Sequence, residues 1–214
     1  MTQYFEEDPT VESVPRDVMW SLPDGPMRLT TDRGVFGYDR VDAGTKLLLM
    51  KAPTPPATGN LLDLGCGTGA IAITLARRSP GSTVWAIDVN SRARDLCVRN
   101  ASHQNAPNVR VAHPDDIDPE LRFDAIWSNP PIRIGKAALH GLLLQWLPRL
   151  VDGGSAHLVV QKHLGADSLQ RWLNDVGHPT ERIATGAGFR VLHVRLSGYD
   201  GDSPPGRVDL DTEP

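Results

Sequence analysis

The chain has 214 residues, 40% of them hydrophobic, enough for one substantial core but a squeeze for two. No apolar run approaches the ~20 residues that span a bilayer, and the acidic start MTQYFEEDPTVESVPRD lacks the basic-then-apolar order of a secretory signal. The net charge of −4 is uneven: residues 1–26 carry −5, residues 198–214 carry −4, and residues 27–197 carry +5. A basic body can face an anionic partner such as nucleic acid, although an excess of five also suits an ordinary mixed surface. Cys66 and Cys97 lie in different predicted elements without metal-ligand spacing. They read as buried filler in a reducing cytoplasm, and no metal site is expected.

Taken in chain order, residues 1–26 hold Pro9, Pro15, Pro23 and Pro26 and read as an irregular acidic segment with at most a short strand or turn. The folded domain is expected over 27–197, with a stiff Pro-rich connector at 53–59. From Asn60 onward short strands and helices alternate. Strands are predicted at 60–64, 83–88, 109–112, 123–128 and 155–161, and helices near 69–78, 91–103, 136–150 and 166–176. Gly153 and Gly154 read as the stop of the helix that starts at Lys136. Trp85, Trp127 and Trp146 are candidate core residues.

The last two strands, 181–185 and 189–196, are separated by Gly186, Ala187 and Gly188 alone. So short a link joins antiparallel neighbours, because parallel ones need a crossover. The expected fold is therefore α/β: a Rossmann-like doubly wound sheet, mostly parallel, with an antiparallel last strand and strand order 3-2-1-4-5-7-6. The tail from Gly198, rich in Pro, Gly and Asp, is expected to be disordered.

Asp63-Leu64-Gly65-Cys66-Gly67-Thr68-Gly69 falls where the first of these strands turns into its helix. Glycines there let the backbone turn tightly and approach a ligand near helix N–H groups. Asp88 ends the next strand, 19 residues after Gly69, where a carboxylate can accept ribose hydroxyls. The dinucleotide spacing GxGxxG is not matched, and Asp63 would repel a pyrophosphate. It could instead accept from the ammonium of S-adenosylmethionine, directly or through water. An acid followed by GxGxG resembles the first motif of class I methyltransferases. The cofactor site is read as Asp63, Gly65, Cys66, Gly67, Asp88 and Val89, with Asp115 or Asp116 accepting from the adenine amine. Those two acids read equally well as a solvated loop.

Asn129-Pro130-Pro131-Ile132 follows the fourth strand at the same sheet edge. An aryl amine is a poor nucleophile because its lone pair is delocalised into the ring. An Asn carbonyl and the Pro130 carbonyl can each accept one N–H and aim that lone pair at an electrophilic methyl, while two prolines stiffen the backbone. Read alone, Asn-Pro-Pro is a rigid strand-end turn; beside the glycine turn and Asp88 it reads as catalytic.

The string SNPPIRIGK, from Ser128 to Lys136, resembles the methyltransferase small (RsmC-like) family of class I S-adenosylmethionine-dependent methyltransferases, in its short single-domain branch. So do Asp32-Arg33-Gly34-Val35-Phe36-Gly37-Tyr38, Asp42-Ala43-Gly44-Thr45, Val160-Gln161-Lys162 and Gly188-Phe189-Arg190-Val191-Leu192. The likeness covers residues 28–197. It implies methylation of guanine N2 in small-subunit ribosomal RNA, with ribosomal RNA or the subunit as partner and Asn129 and Pro130 at the amine. It also implies that Phe36 and Thr45 close over the cofactor or the base. Two departures stand out: Ile132 occupies the place of an aromatic residue common after Pro-Pro, and the extra N-terminal domain of longer relatives is not expected. Arg133 and Lys136 are placed to hold phosphates, or else form a solvated helix start.

Other readings keep the cofactor and change the acceptor to a small-molecule amine, a protein glutamine or DNA adenine. A non-catalytic cofactor-binding ribosome assembly factor has no need of paired acceptors, and a nicotinamide dehydrogenase is disfavoured by the glycine spacing and the terminal hairpin. Oligomeric state is not legible in the sequence.

Overall fold

A computed structural model describes residues 7–196, apart from the side chain of Arg133. The expected acidic tail from Gly198 lies outside those residues. Strand β1 (Arg16–Leu22) pairs antiparallel with β2 (Gly25–Thr31) through a turn at Pro23 and Asp24. This corrects the expectation of an irregular segment through residue 26. The prolines are compatible with a hairpin because Pro23 sits in the turn and Pro26 lies near the start of a strand in a two-stranded ribbon. Alternation does the rest: Val18, Trp20 and Leu22 on β1, and Met27 and Leu29 on β2, point into the core. Helix α1 (Ala43–Lys51), which the sequence reading did not place, follows, capped by Asp42.

The main sheet contains β3 (Thr58–Leu64), β4 (Gly81–Ile87), β5 (Val109–Ala112), β6 (Phe123–Ser128), β7 (Leu150–Gln161), β8 (Thr180–Gly186) and β9 (Phe189–Arg195). Its order is β5-β4-β3-β6-β7-β9-β8, with β9 antiparallel to both neighbours. The doubly wound sheet with a reversed last strand is as expected. Helices α2 (Ala70–Arg78), α3 (Ser91–His103), α4 (Lys136–Trp146) and α5 (Ala166–Asp175) make the crossovers.

Helix α4 ends earlier than its apolar pattern suggests. Pro148 lacks an N–H and disfavours helix before it, so residues Leu147–Arg149 tighten to a 3₁₀ turn. Gly153 and Gly154 then lie inside the long strand β7, at an irregularity against β6, and do not stop the helix.

Alternating strand residues feed two cores. One face carries Leu61, Trp127 and Val159 under α1, α2 and the hairpin; the other carries Leu62, Ile126 and Leu158 under α4 and α5. Trp127 and Trp146 are both fully buried. His157 on β7 is also buried, its ring 4.6 Å from that of Trp127, and its Nδ1 meets His193 Nδ1 at 3.3 Å. Among the described residues no helix is long and apolar enough to cross a membrane.

Burial first, and then the neighbouring His193, push the His157 pKa down to about 3 from an ordinary 6.5. The unfolded chain therefore binds a proton that the folded chain refuses between those values. This group's contribution to stability is present above pH 6.5 and is lost as pH falls towards 3, by at most about 1.4 kcal/mol per pH unit. Urea unfolding at a series of pH values should show that slope below pH 6.5, and His157→Phe should flatten it.

Candidate active site

A cavity of about 610 Å³ opens at the carboxyl ends of β3, β4, β6 and β7, where the winding reverses between β3 and β6. That volume lies within the roughly 300–1,000 Å³ of small-molecule sites. Its walls come from two halves of the sheet.

The first half is the glycine turn. Gly65 has φ 79°, and a Cβ there would project into open space, so a ligand can approach the main chain closely. Gly69, at φ 87°, serves packing instead, since a Cβ would strike Cys97 Sγ of α3. The Gly65 and Cys66 N–H groups both donate to Ile87 O at 2.9 Å, binding the turn to the end of β4. Asp88 accepts from Gly67 N at 2.9 Å and Asn90 N at 3.0 Å, yet it still lines the cavity with lone pairs to spare. Burial raises its pKa, while those two N–H groups pull it down.

Asp63 behaves differently from its neighbours. It is fully buried beneath the turn and is absent from the cavity wall. Its Oδ2 accepts from Ala72 N at 2.9 Å in the first turn of α2, while Oδ1 has no partner among the described residues. Burial, with a lesser push from Asp88, raises its pKa to about 8. Cys66 is also off the wall. The adjacent Cys97 side chain and then burial push its thiol upward, in keeping with filler.

The second half is built around Asn129. Ser128 Oγ donates to Leu64 O at 2.6 Å, tying the end of β6 to the end of β3. Asn129 Nδ2 then donates to Asp42 Oδ2 and to Thr45 Oγ1, both at 3.0 Å. Asp42 Oδ2 also accepts from Gly44 N at 2.8 Å and Thr45 N at 3.1 Å, which caps α1. An ionised carboxylate only accepts, so Asp42 fixes which end of the amide faces it. Asn129 Oδ1 is thereby left for a donor in the cavity that this residue lines.

Thr45 stands behind Asn129 and not on the wall, unlike the expectation that it closes over the cofactor or the base. The Pro130 carbonyl accepts from Ile132 N at 2.8 Å around Pro131 (φ −74°, ψ 73°), an inverse γ-turn. One of its lone pairs is taken within the motif and the other remains. Pro130, Pro131 and Ile132 all line the cavity.

Phe36 and Val89 are on the wall as well, with 46% and 39% of their surface exposed. Asp115 and Asp116 are not: both are exposed and turned to solvent, with Asp115 beside His113, and Pro114 takes the wall position. Lys136 is exposed at the start of α4 and off the wall. Arg133 lies in the 3₁₀ turn Ile132–Ile134, and its side chain is outside the described set. The wall also holds Tyr38, Leu142, Leu164 and Phe189, which the sequence reading did not assign to the site, and Gln161, which it left without a role. Asp42 was the main omission. Its signal was present, since an acid ahead of Gly44-Thr45 is a helix N-cap pattern. Among the described residues no group of histidines, cysteines and acids could hold a metal ion.

The sheet order, the glycine turn against Asp88 and the amide placed across the cleft define a class I methyltransferase. The family model of the methyltransferase small domain matches residues 26–193. The chain is 31% identical over 195 residues to the uncharacterized protein YbxB of Bacillus subtilis, covering 90% of this chain and 97% of that one. It is 33% identical over 193 residues to ribosomal RNA small subunit methyltransferase C of Pseudomonas syringae pv. tomato, covering 88% of this chain and 57% of the relative. Among solved structures, it matches the T. thermophilus 16S rRNA N2 methyltransferase RsmC, in complex with AdoMet and guanosine, with TM-score 0.70 and 24% identity. That match covers 88% of this chain and 52% of the other. The chain thus spans little more than half the length of these two methyltransferases. It belongs to the methyltransferase small domain family and is an S-adenosylmethionine-dependent methyltransferase.

Replacing Asp42 by Ala removes the cap of α1 and the acceptor that turns Asn129. Chemical denaturation should show a loss of about 1–2 kcal/mol, larger than for Asp39→Ala at an exposed wall position.

Proposed function

We propose that this chain methylates the exocyclic N2 amine of guanine in small-subunit ribosomal RNA. The observation that carries the reading is the orientation of Asn129, whose amino end is held by Asp42 and Thr45 so that its carbonyl is free for an amine. The names of the full-length relatives support the substrate, and the basic balance of residues 27–197 suits a polyanion.

The glycine turn and Asp88 fit an adenosyl cofactor: close main-chain approach at Gly65, and a carboxylate with free lone pairs at the neighbouring strand end. Gly65, Gly67, Asp88 and Val89 would hold S-adenosylmethionine, whose sulfonium supplies an electrophilic methyl group when bound. Asp63 lies under the same turn, off the wall and with an unpartnered oxygen. The cofactor's ammonium would therefore favour its charged form through water or across the turn and not by direct contact.

Across the cleft, Asn129 Oδ1 and the remaining lone pair of Pro130 O accept the two N–H bonds of the amine. That draws the nitrogen towards tetrahedral geometry and localises its lone pair. Asp42 and Thr45 hold the first acceptor and the inverse γ-turn holds the second, so little reorganisation is needed at reaction. The released proton passes to water, and no strong base is required of the chain.

Asn129→Ala should lower kcat at least 100-fold while the cofactor Kd stays within about threefold, because its contact is made to the amine alone. Nucleoside mass spectrometry of small-subunit RNA from a deletion strain should lack one N2-methylguanosine; an unchanged profile defeats the proposal. Asp63 adds a pH test. With its pKa near 8 in the free protein, a cation beside it favours the ionised form, so binding expels a proton below pH 8. Calorimetry should find affinity rising from pH 6 to pH 8, by up to about tenfold per unit, and Asp63→Asn should remove that dependence.

A further inference from the structure

We infer that Gln161 reads the edge of the acceptor ring and selects guanine over other amine-bearing bases; this rests on the proposed function. Gln161 is the last residue of β7 and lies half-buried on the cavity wall. Strand β7 runs parallel to β6, with Leu158 opposite Ser128, so both strands deliver their ends to the same side of the cleft. On its other flank Gln161 pairs with Phe189 of β9, and Lys162 N donates to Gly188 O at 2.8 Å. The main chain at this point is therefore fixed.

Its carboxamide, by contrast, makes no hydrogen bond to another described residue. The four polar side chains nearest the two half-sites are engaged: Asp42 caps α1, Asp88 holds Gly67 and Asn90, Asp39 pairs with Arg16, and Asn129 is held by Asp42, whereas Tyr38 and Arg40, like Gln161, make no side-chain hydrogen bond to a described residue. A half-buried amide facing a cavity carries a donor and an acceptor for whatever occupies it. Ile132, Leu142, Leu164 and Phe189 line the same cavity and offer apolar surface to the faces of a flat ring. Leu164 is 42% exposed, an apolar side chain left open at the rim.

A carboxamide spans one adjacent donor–acceptor pair. Next to its N2 amine, guanine presents the N1–H donor and then the O6 acceptor, which Oε1 and Nε2 of Gln161 can engage together. Adenine, held by its N6 amine, offers N1 as an acceptor and then only a C–H, so one half of the amide is left unmatched. The ring 2-aminopurine keeps the C2 amine but lacks both N1–H and O6, and it isolates the contribution of Gln161. A site built to bond a polar edge discriminates strongly against a ring that lacks it.

The test uses a small-subunit ribosomal RNA fragment that carries the methylated position as guanine or as 2-aminopurine. The wild-type protein should prefer guanine in kcat/KM by roughly ten- to a hundredfold. Gln161→Met, of similar length but without the amide, should bring that ratio to within about threefold, with the cofactor Kd unchanged. Gln161→Leu, which also removes both the donor and the acceptor, should lower the ratio in the same way and serves if the Met variant folds poorly. A guanine preference retained in both variants overturns the role of Gln161. If the wild type transfers no methyl group to the guanine fragment, it is the proposed function that fails, and the inference falls with it.

Discussion

One carboxylate organises the Asn129 side of the cavity. Asp42 receives two backbone N–H groups at the start of α1 and one N–H of the Asn129 amide. The same charge therefore stabilises a helix and decides which end of a neighbouring amide faces the cleft. Helix N-termini attract anions because their N–H groups are unpaired and their dipoles point outward. Here that general attraction is used to hold a side chain, and through it the polarity of the site. Thr45, on the same helix, adds a second acceptor for the Asn129 amide, so rotation of that amide would cost two bonds.

The opposite half of the cavity depends on burial more than on contacts. Asp63 and Asp88 lie close enough to influence one another, and both are pushed towards the neutral form by desolvation. Asp88 is rescued by two backbone donors; Asp63 keeps one. A pocket prepared this way holds suppressed negative charge that a cationic ligand can recover. Its walls are otherwise largely apolar, which suits a nucleoside and leaves orientation to a few polar groups.

The sheet was legible because its constraints are local. The three-residue link Gly186–Gly188 demanded an antiparallel pair, and each strand–helix alternation demanded a crossover. The glycine turn, Asp88 and Asn129-Pro130-Pro131 were legible because fixed spacing places them at one sheet edge. What escaped depends on tertiary contacts. The hairpin Arg16–Thr31 was masked by prolines whose positions are harmless in a two-stranded ribbon. Helix α1 was hidden by the run Leu47–Met50, which shows no clear period of its own. Asp115 and Asp116 looked like adenine acceptors from their place after a strand, but the chain turns them to solvent and offers Pro114 instead. Pro130 O was read as a free acceptor, whereas half of its capacity is spent inside the motif on Ile132 N–H. No spacing rule announces such an internal bond.

The bond from Ser128 Oγ to Leu64 O has a wider meaning. Because β3 and β6 are immediate neighbours, the glycine turn and Asn129 leave the sheet from strands one inter-strand interval apart, roughly 4.8 Å. The relative placement of the glycine turn and Asn129 is thus inherited from hydrogen-bonded sheet spacing, which side-chain substitutions leave unchanged. Changes of target must instead arise around the rim, where loops and side chains vary without altering that fixed ruler.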